Sequence, residues 1–179
     1  ADADALDLAI VDAADVVGMD EAPAMALRRK PDASIRVAAA VVARGEAQAL
    51  VSAGHTGATV VAAHAVFGML PGVDRPALAP AIPTRSGMAV LLDAGATVEC
   101  RPHHLLQFGV MGSVYAEALL GTVRPRVGVL SIGEEEGKGN ERTREAYKLL
   151  KAAPVAFVGN VEARDVFSGV ADVIVCDGF

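Results

Sequence analysis

Aromatic side chains are scarce in this chain, because tryptophan is absent and Phe, Tyr and Trp together make up 4% of the residues. A core without large rings has to be filled by Ala, Val and Leu, and such small side chains let helices lie close against a sheet. Hydrophobic residues nevertheless account for 53% of the chain, and there are 18 glycines. The composition favours a compact covered-sheet protein, and its length predicts a single α/β domain over residues 1–179.

Cysteines and long apolar runs are also few. Cys100 and Cys176 are isolated and have no CxxC spacing, so the simplest interpretation is two reduced thiols, neither of them a convincing nucleophile. No apolar run reaches the ~18 residues that a membrane span requires. The first residues are too acidic for a signal peptide. Together these absences predict a cytoplasmic location.

Positive charge is in deficit, with 16 Lys and Arg against 22 Asp and Glu and a net charge of −6. This balance argues against nucleic acid as the main partner. Arg28, Arg29 and Lys30 form a local exception at the end of a short helix that Pro23 can begin. The three cations are either a solvated helix end or a docking patch for an acidic partner, and the residues alone leave both interpretations open.

The chain begins at Ala1 without an initiator methionine and ends at Phe179, just after a strand-like run. We therefore expect a fragment, truncated at both ends, of a longer domain.

Strand-like and helix-like segments alternate along the whole chain. The strands are expected at residues 6–14, 48–53, 87–93, 127–132, 155–158 and 172–176. The helices are expected after Pro23, at residues 34–44, 58–69 and 102–120, after Asn140 and, as a short helix, after residue 162. Residues 68–83 hold four of the nine prolines and are expected to form a rigid, irregular connection. This alternation predicts a three-layer α/β/α fold with a mostly parallel sheet.

Residues 127–147 combine a buried strand, a glycine-rich loop and a helix start, with Lys138 in the loop. Gly133, Gly137 and Gly139 can turn backbone amides toward an anion, and Asn140 is a good N-cap for the helix. The loop only approaches a P-loop, because the first glycine is one residue too close and Gly139 stands where Ser or Thr would bind magnesium. A solvated turn and a phosphate site are both consistent with this stretch.

A second glycine turn follows residues 48–53 and opens another helix. Its polar groups can donate to a phosphate or an oxyanion, and they are Ser52, Gly54, His55, Thr56 and Gly57. His55 is either a capping residue or a base.

Polar residues at strand ends are expected at one edge of the sheet, because parallel strands end together there. The candidates at this edge are Asp93, Asp177 and Asn160, the last of which is expected in a turn after residues 155–158.

Arg75 either pairs with Asp74 or faces an anion. His103 and His104 are adjacent on a helix and point about 100° apart, so no metal site is predicted.

The predicted helix 102–120 has one face of small residues, which are Gly109, Gly112, Ser113 and Ala116. This face allows close packing on the sheet or on a second copy of the same helix. A homodimer contact is one of the two outcomes.

Taken together, the motifs resemble one family, the PlsX phosphate acyltransferases of bacterial phospholipid synthesis. The segments that carry the resemblance are DEAPAMALRRK at 20–30, VSAGHTGA at 51–58, GVDRPALAPAIPT at 72–84, LLDAGA at 91–96, FGVMGSVYA at 108–116, PRVGVLSIGEEEGKGNE at 125–141, FVGNVEARD at 157–165 and DVIVCDGF at 172–179. They cover nearly the whole chain and are ordered as in the family.

The resemblance implies a homodimeric enzyme without a cofactor that transfers a fatty acyl group from acyl carrier protein to inorganic phosphate. It also implies a fold related to phosphotransacetylases and isocitrate dehydrogenases, with Lys138 of the KGN motif important for activity and the SAG turn at the site. Lys138, Asn140 and His55 are accordingly the candidate catalytic residues. Gly133, Gly139, Arg75 and the strand-end residues join the SAG turn as candidate substrate-binding residues, and Arg28 to Lys30 as the candidate docking site for the carrier protein.

Three departures from the family pattern stand out. His55 occupies a position that is commonly Asn. The family's first strand and the loop after it are missing, and so is the segment after residue 179, which in the family is linked to peripheral membrane association. The resemblance thus implies a fragment of a longer catalytic domain, which is expected to be inactive, or nearly so, by itself. An alternative function is a nucleotide-binding oxidoreductase or kinase-like protein on similar architecture, although no GxGxxG or true P-loop is present. A third possible function is that of a catalytically silent dimerisation fragment.

Overall fold

The structure is a computed structural model that describes residues 8–178. These residues belong to two compact units, 1–70 and 71–179, and each is taken by itself below. The expectation of a single domain over the whole chain stays a prediction. None of the helices in the described part of the chain is both long enough and apolar enough to cross a membrane.

The first unit is helical. Its helices are α1 (Pro23–Arg29), α2 (Ser34–Ala43) and α3 (Thr56–Phe67). They share a small core of Leu27, Ala33 and Ala62. As predicted, Pro23 lies in the first turn of α1 and basic residues occupy its last turn.

Two strand predictions in the first unit are wrong. Residues 8–14 and 48–53 contain no strand, and the only pairing here is a single bridge between Asp15 and Ala33. Residues 6 and 7 lie outside the described part. Val51 is 97% exposed, so residues 48–53 have neither a neighbouring strand to pair with nor apolar cover within their own unit.

The second unit is built on a five-stranded sheet. Its strands are β1 (Ala81–Thr84), β2 (Gly87–Leu92), β3 (Arg126–Leu130), β4 (Ala156–Val161) and β5 (Val173–Val175), in the order β1-β2-β5-β3-β4. The pairings of β2 with β5, β5 with β3 and β3 with β4 are parallel, and only β1 is antiparallel. The predicted α/β fold with a mostly parallel sheet is confirmed.

Strand β1 corrects the expectation of an irregular connection over residues 68–83. It forms a hairpin with β2 and contains Pro83. Proline has no amide hydrogen to donate, and β1 tolerates it because it lies at the edge of the sheet.

Helices α4 (Pro102–Leu120) and α5 (Glu141–Ala152) pack together with β2, β3 and β5 around the main core, whose centre is formed by Phe108, Val127, Leu150 and Val175. The other face of the sheet contributes Ile174 to a smaller cluster with Val161 and Ala171. The predicted short helix on that side is a single 3-10 turn at Ala163–Asp165. Side chains of β5 therefore alternate between two cores, as a strand covered on both faces requires.

The small-residue face of α4 packs on the sheet. A Cβ atom added to Gly109 would lie 2.5 Å from Leu150 Cδ2, and one added to Gly112 would lie 2.5 Å from Val173 Cγ1. Packing of this face on the sheet, which is one of the two predicted outcomes, is thus the one observed. A homodimer would have to use another surface.

Candidate functional site

The parallel strands β2, β5, β3 and β4 end at one edge of the sheet, and a cavity of about 320 Å³ lies there. Its lining comes from the ends of β3 and β5, the start of α5 and one residue of α4. The polar lining residues are Ser131, Asn140, Arg142, Thr143 and Asp177. A crevice beyond the carboxyl ends of parallel strands is where α/β proteins commonly bind ligands.

The amino end of α5 adds partial positive charge to one side of this cavity. Asn140 caps the helix through Oδ1, which accepts the Thr143 amide hydrogen at 2.9 Å, as the sequence predicted. Gly139 has a φ of 99°, a conformation that favours glycine. The first-turn amides have no acceptor within the helix, and the helix dipole adds partial positive charge, so an anion is stabilised here.

Ser131 lines the cavity beside Gly139, and the sequence did not point to it. Its hydroxyl oxygen is buried and has no hydrogen-bond partner among residues 8–178. A Cβ atom on Gly139 would approach this oxygen to 2.8 Å, so the two residues lie against each other. The hydroxyl therefore has an unused hydrogen bond at the border of the cavity. The only signal in the sequence is that Ser131 is the first polar residue after a buried strand.

The three consecutive glutamates of the loop are held by other elements. Glu136 pairs with Lys151 at 2.9 Å and Glu134 with Arg164 at 3.4 Å, while the Glu135 carbonyl accepts a hydrogen bond from Asn160 Nδ2 at 2.8 Å. Two of the carboxylates are thus matched by cations. The repulsion that this triplet would exert on an anion is reduced.

Lys138 lies in the same loop, between the glutamates and Gly139. Its amide donates to the Glu135 carbonyl at 2.9 Å, and its side chain is exposed. A Cβ atom on Gly133 would meet the Lys138 side chain at 2.9 Å. Within the described residues Lys138 forms no ion pair and does not line the cavity, so its charge is free to turn toward a ligand beside it.

Two other strand-end candidates support the loops of this edge. Asn160 is a buried residue of β4 and not part of a turn as expected; its Oδ1 has no partner in the part of the chain that the structure describes. Asp93 is 1% exposed and accepts amide hydrogens from Leu78 at 2.7 Å, Ala96 at 3.1 Å and Thr97 at 2.6 Å. Both residues organise the backbone, and their contact with a substrate stays a prediction.

The two cysteines are poor nucleophiles. Burial, followed by the nearby charge of Asp177, raises the pKa of Cys176 to about 12. Burial and the charge of Asp93 raise the pKa of Cys100 to about 11. Both thiols therefore stay protonated near neutral pH, although Cys176 lines the cavity.

The SAG turn lies in the first unit, at the start of α3. His55 caps this helix, because its Nδ1 accepts the Gly57 amide hydrogen at 3.1 Å, and Ser52 Oγ accepts from the Gly54 amide at 3.2 Å. Thr56 is the first residue of α3 and is exposed. His55 is thus a capping residue, which is one of the two predicted roles, and Nδ1 is not available as a base while it caps.

The predicted basic patch is only partly free. Arg28 and Arg29 are exposed at the end of α1. Lys30 is bound to Glu21 at 2.6 Å and to the Val16 carbonyl at 2.8 Å.

Arg75 does not pair with Asp74 in the described part of the chain. The Asp74 carboxylate instead lies 3.9 Å from His103 Nε2. The local pairing considered for Arg75 is therefore wrong.

The sequence matches a known protein family over nearly its whole length. The family described as "Fatty acid synthesis protein" matches residues 2–179. Among curated proteins, the chain is 55% identical to a phosphate acyltransferase of Nitratidesulfovibrio vulgaris over 177 residues, which are 98% of this chain and 51% of that protein. It is 57% identical to a phosphate acyltransferase of Heliobacterium modesticaldum over 172 residues, 96% of this chain and 51% of the other. The chain thus spans about half the length of the curated relatives it matches.

Solved structures with a similar fold include two phosphotransacetylases. The enzyme from Streptococcus pyogenes superposes with a TM-score of 0.64 at 17% identity, covering 87% of this chain and 54% of that one. EutD from Staphylococcus aureus gives a TM-score of 0.60 at 19% identity, covering 84% and 53%. At this level of identity the likeness shows the fold.

Proposed function

The chain belongs to the fatty acid synthesis protein family, and from this premise we propose that the protein transfers a fatty acyl group from acyl carrier protein to inorganic phosphate. The product is an acyl phosphate. The observation that carries the proposal is the cavity at the carboxyl edge of the sheet, which is lined by Ser131 and by the first turn of α5. The Ser131 hydroxyl and the amides of Glu141 and Arg142 have no acceptor among residues 8–178, whereas the Thr143 amide is capped by Asn140. Donors without acceptors suit phosphate.

The chemistry requires little covalent help from the protein. Phosphate is already anionic at neutral pH, so the site has to desolvate it, aim one oxygen at the thioester carbonyl and stabilise the oxyanion that develops. The carbon–sulfur bond then breaks, and the carrier leaves as a thiolate that takes up a proton. The raised pKa values of Cys100 and Cys176 support direct transfer without an acyl-cysteine intermediate.

The residues in and beside the cavity are assigned separate tasks. Ser131 and the α5 amides bind phosphate oxygens, and Lys138, in the loop next to the cavity, neutralises their charge. Asp177 faces the same cavity, where its carboxylate is suited to accept the proton that dihydrogen phosphate loses as it attacks. Homodimer formation and a cytoplasmic location remain predictions that accompany this assignment.

Replacing Lys138 tests the assignment in a protein of the relatives' full length. Lys138→Ala should lower acyl phosphate formation by roughly 10² or more, because one cation that stabilises the charge of the transition state is lost. The matched control is Lys148→Ala, which removes an exposed lysine of α5 that pairs with Glu145 at 3.2 Å and should retain the activity. Near-normal turnover of the Lys138 variant would remove this residue from the mechanism. An acyl group trapped on Cys100, Cys176 or Ser52 would contradict direct transfer.

A further inference from the structure

A second cleft of about 560 Å³ adjoins the phosphate cavity within the second unit. Three arginines from three different segments line it: Arg75 before β1, Arg101 at the start of α4 and Arg142 in the first turn of α5. Arg142 lines both the cleft and the cavity, so the two spaces lie on either side of this residue. Neither Arg101 nor Arg142 was recognised from the sequence.

The arginines of this cleft are not held in ion pairs. None of the three guanidinium groups forms an ion pair within residues 8–178, and Glu99 is the only acidic residue in the lining, while Glu141 and Asp177 lie beside Arg142 in an adjoining pocket. Three like charges in one cleft repel each other, and this repulsion is a cost. An anion of more than one charge would offset that cost, because guanidinium groups bind phosphate oxygens with paired hydrogen bonds.

His104 adds a neutral donor to the same cleft. It is 7% exposed, and its Nδ1 accepts the Arg101 amide hydrogen at 3.1 Å. Burial, followed by the charge of Arg75, lowers the pKa of His104, so the ring is neutral near pH 7 and carries its proton on Nε2. That Nε2–H has no hydrogen-bond partner among the described residues. The cleft is therefore lined by donors that lack acceptors.

We propose that this cleft binds a phosphate ester on the thiol-bearing arm of the acyl donor. The proposal rests on the proposed function, in which the carrier delivers its thioester to the neighbouring cavity. Acyl carrier proteins hold the acyl group on phosphopantetheine, whose phosphate lies at one end and whose sulfur lies at the other. With the phosphate in the arginine cleft, the sulfur end extends past Arg142 toward the acceptor phosphate, and the two phosphate groups occupy separate sites.

Titrations with three probes separate the two sites, and they are followed by amide chemical shifts so that turnover is not needed. The probes are phosphopantetheine, pantetheine and inorganic phosphate. Wild-type protein should bind phosphopantetheine at least tenfold more tightly than pantetheine. Arg101→Gln and Arg75→Gln should each weaken phosphopantetheine about tenfold, which corresponds to one charge-assisted hydrogen bond, and leave pantetheine and inorganic phosphate unchanged. Arg85→Gln, in the exposed β1–β2 turn at the opposite edge of the sheet, is the matched control and should change nothing.

The alternative outcomes overturn the proposal in different ways. Equal affinity for phosphopantetheine and pantetheine would mean that the arginines are only solvated. Weaker inorganic phosphate binding in the Arg101 variant would assign the cleft to the acceptor. If phosphopantetheine binds as expected but the full-length protein forms no acyl phosphate, the cleft stands and the proposed function fails.

Discussion

Asp172 accepts three hydrogen bonds from a single arginine. The Arg126 amide donates at 2.8 Å, and its guanidinium donates through Nε and Nη2, both at 2.9 Å. The hydrogen bonds from the Arg126 side chain are the main reason that the pKa of Asp172 is lowered. Asp172 immediately precedes β5, and Arg126 is the first residue of β3. The ion pair therefore links these two strands at the end where their parallel hydrogen bonding begins.

The lowered pKa predicts an acid-sensitive contribution to stability. A carboxylate whose pKa is lower in the folded state stabilises fully above its unfolded pKa of about 3.9, and the gain is lost as the pH falls through the folded value. Asp172→Asn should therefore lower the free energy of unfolding by about 1–2 kcal/mol at pH 7, and the difference from wild type should shrink below about pH 4. Urea unfolding at pH 7, 5, 4 and 3 measures this.

The control for this pH series is Glu145→Gln, which removes an exposed pair on α5 that should contribute little at any pH. A difference between Asp172→Asn and wild type that stays constant down to pH 3 would show that charge is not what Asp172 contributes.

Single residues of the site differ in how far the sequence reveals them. Asn140 was predictable because an N-cap needs a short polar side chain directly before a helical segment, and the structure confirms it. Arg142 was not predictable, because an arginine in the first turn of a helix has no local pattern that distinguishes a site from a solvated face. Its position depends on where α4 and the loop before it lie, which only the tertiary structure provides.

Among the elements, α4 packs closely on the sheet. Gly112 lies over β5 and β2, and an added Cβ atom would meet Val173 Cγ1 at 2.5 Å and Leu92 Cδ1 at 2.7 Å. Both neighbours are buried. Alanine is the better helix former by about 1 kcal/mol, so local propensity and tertiary packing favour opposite outcomes at this position.

We expect packing to prevail in Gly112→Ala. Overpacking a filled core costs about 1–3 kcal/mol, so the variant should lose about 1 kcal/mol net in the free energy of unfolding, measured with urea. Ser113→Ala, one residue further along the same helix, is the control and should be neutral or slightly stabilising. The double variant with Val173→Ala tests the cause, because it should be more stable than the sum of the two single changes predicts. A stabilised Gly112→Ala would show that α4 can shift away from the sheet.

The elements were predicted better in the second unit than in the first. Buried strands such as β3 are continuous apolar runs, and Pro102 and Gly121 mark the ends of α4 as expected. Residues 48–53 have a similar apolar character but no strand to pair with in their unit. Composition cannot distinguish the two cases, since a strand exists only when a neighbour supplies its hydrogen bonds.

For the molecule as a whole, the excess of negative charge bears on its proposed partner. Acyl carrier proteins are acidic, so the net charge of −6 on this chain repels the carrier protein as the two approach. Arg28 and Arg29 are exposed on the first unit, whereas Lys30 is engaged with Glu21. We therefore predict that the carrier protein docks at the two arginines.

Reversing both charges tests this docking surface. Arg28→Glu with Arg29→Glu should raise the KM for acyl carrier protein about tenfold and weaken its dependence on salt, with little change in kcat. The matched reversal, Arg85→Glu with Arg124→Glu, has the same effect on net charge at two other exposed arginines and should raise this KM far less. Equal effects of the two double variants would mean that net charge alone governs the encounter, and an unchanged KM would place docking elsewhere.

Strand β5 is the last of the five strands in chain order, yet it lies between β2 and β3. As the ribosome releases the chain from its amino end, β1 can pair with β2 and β3 with β4, but the two halves of the sheet have no hydrogen bonds to each other until β5 emerges. During that interval β2 and β3 each present an open edge, and open edges are where nascent chains associate wrongly. The demand of this protein on chaperones should therefore be concentrated in the period before residues 173–175 leave the ribosome.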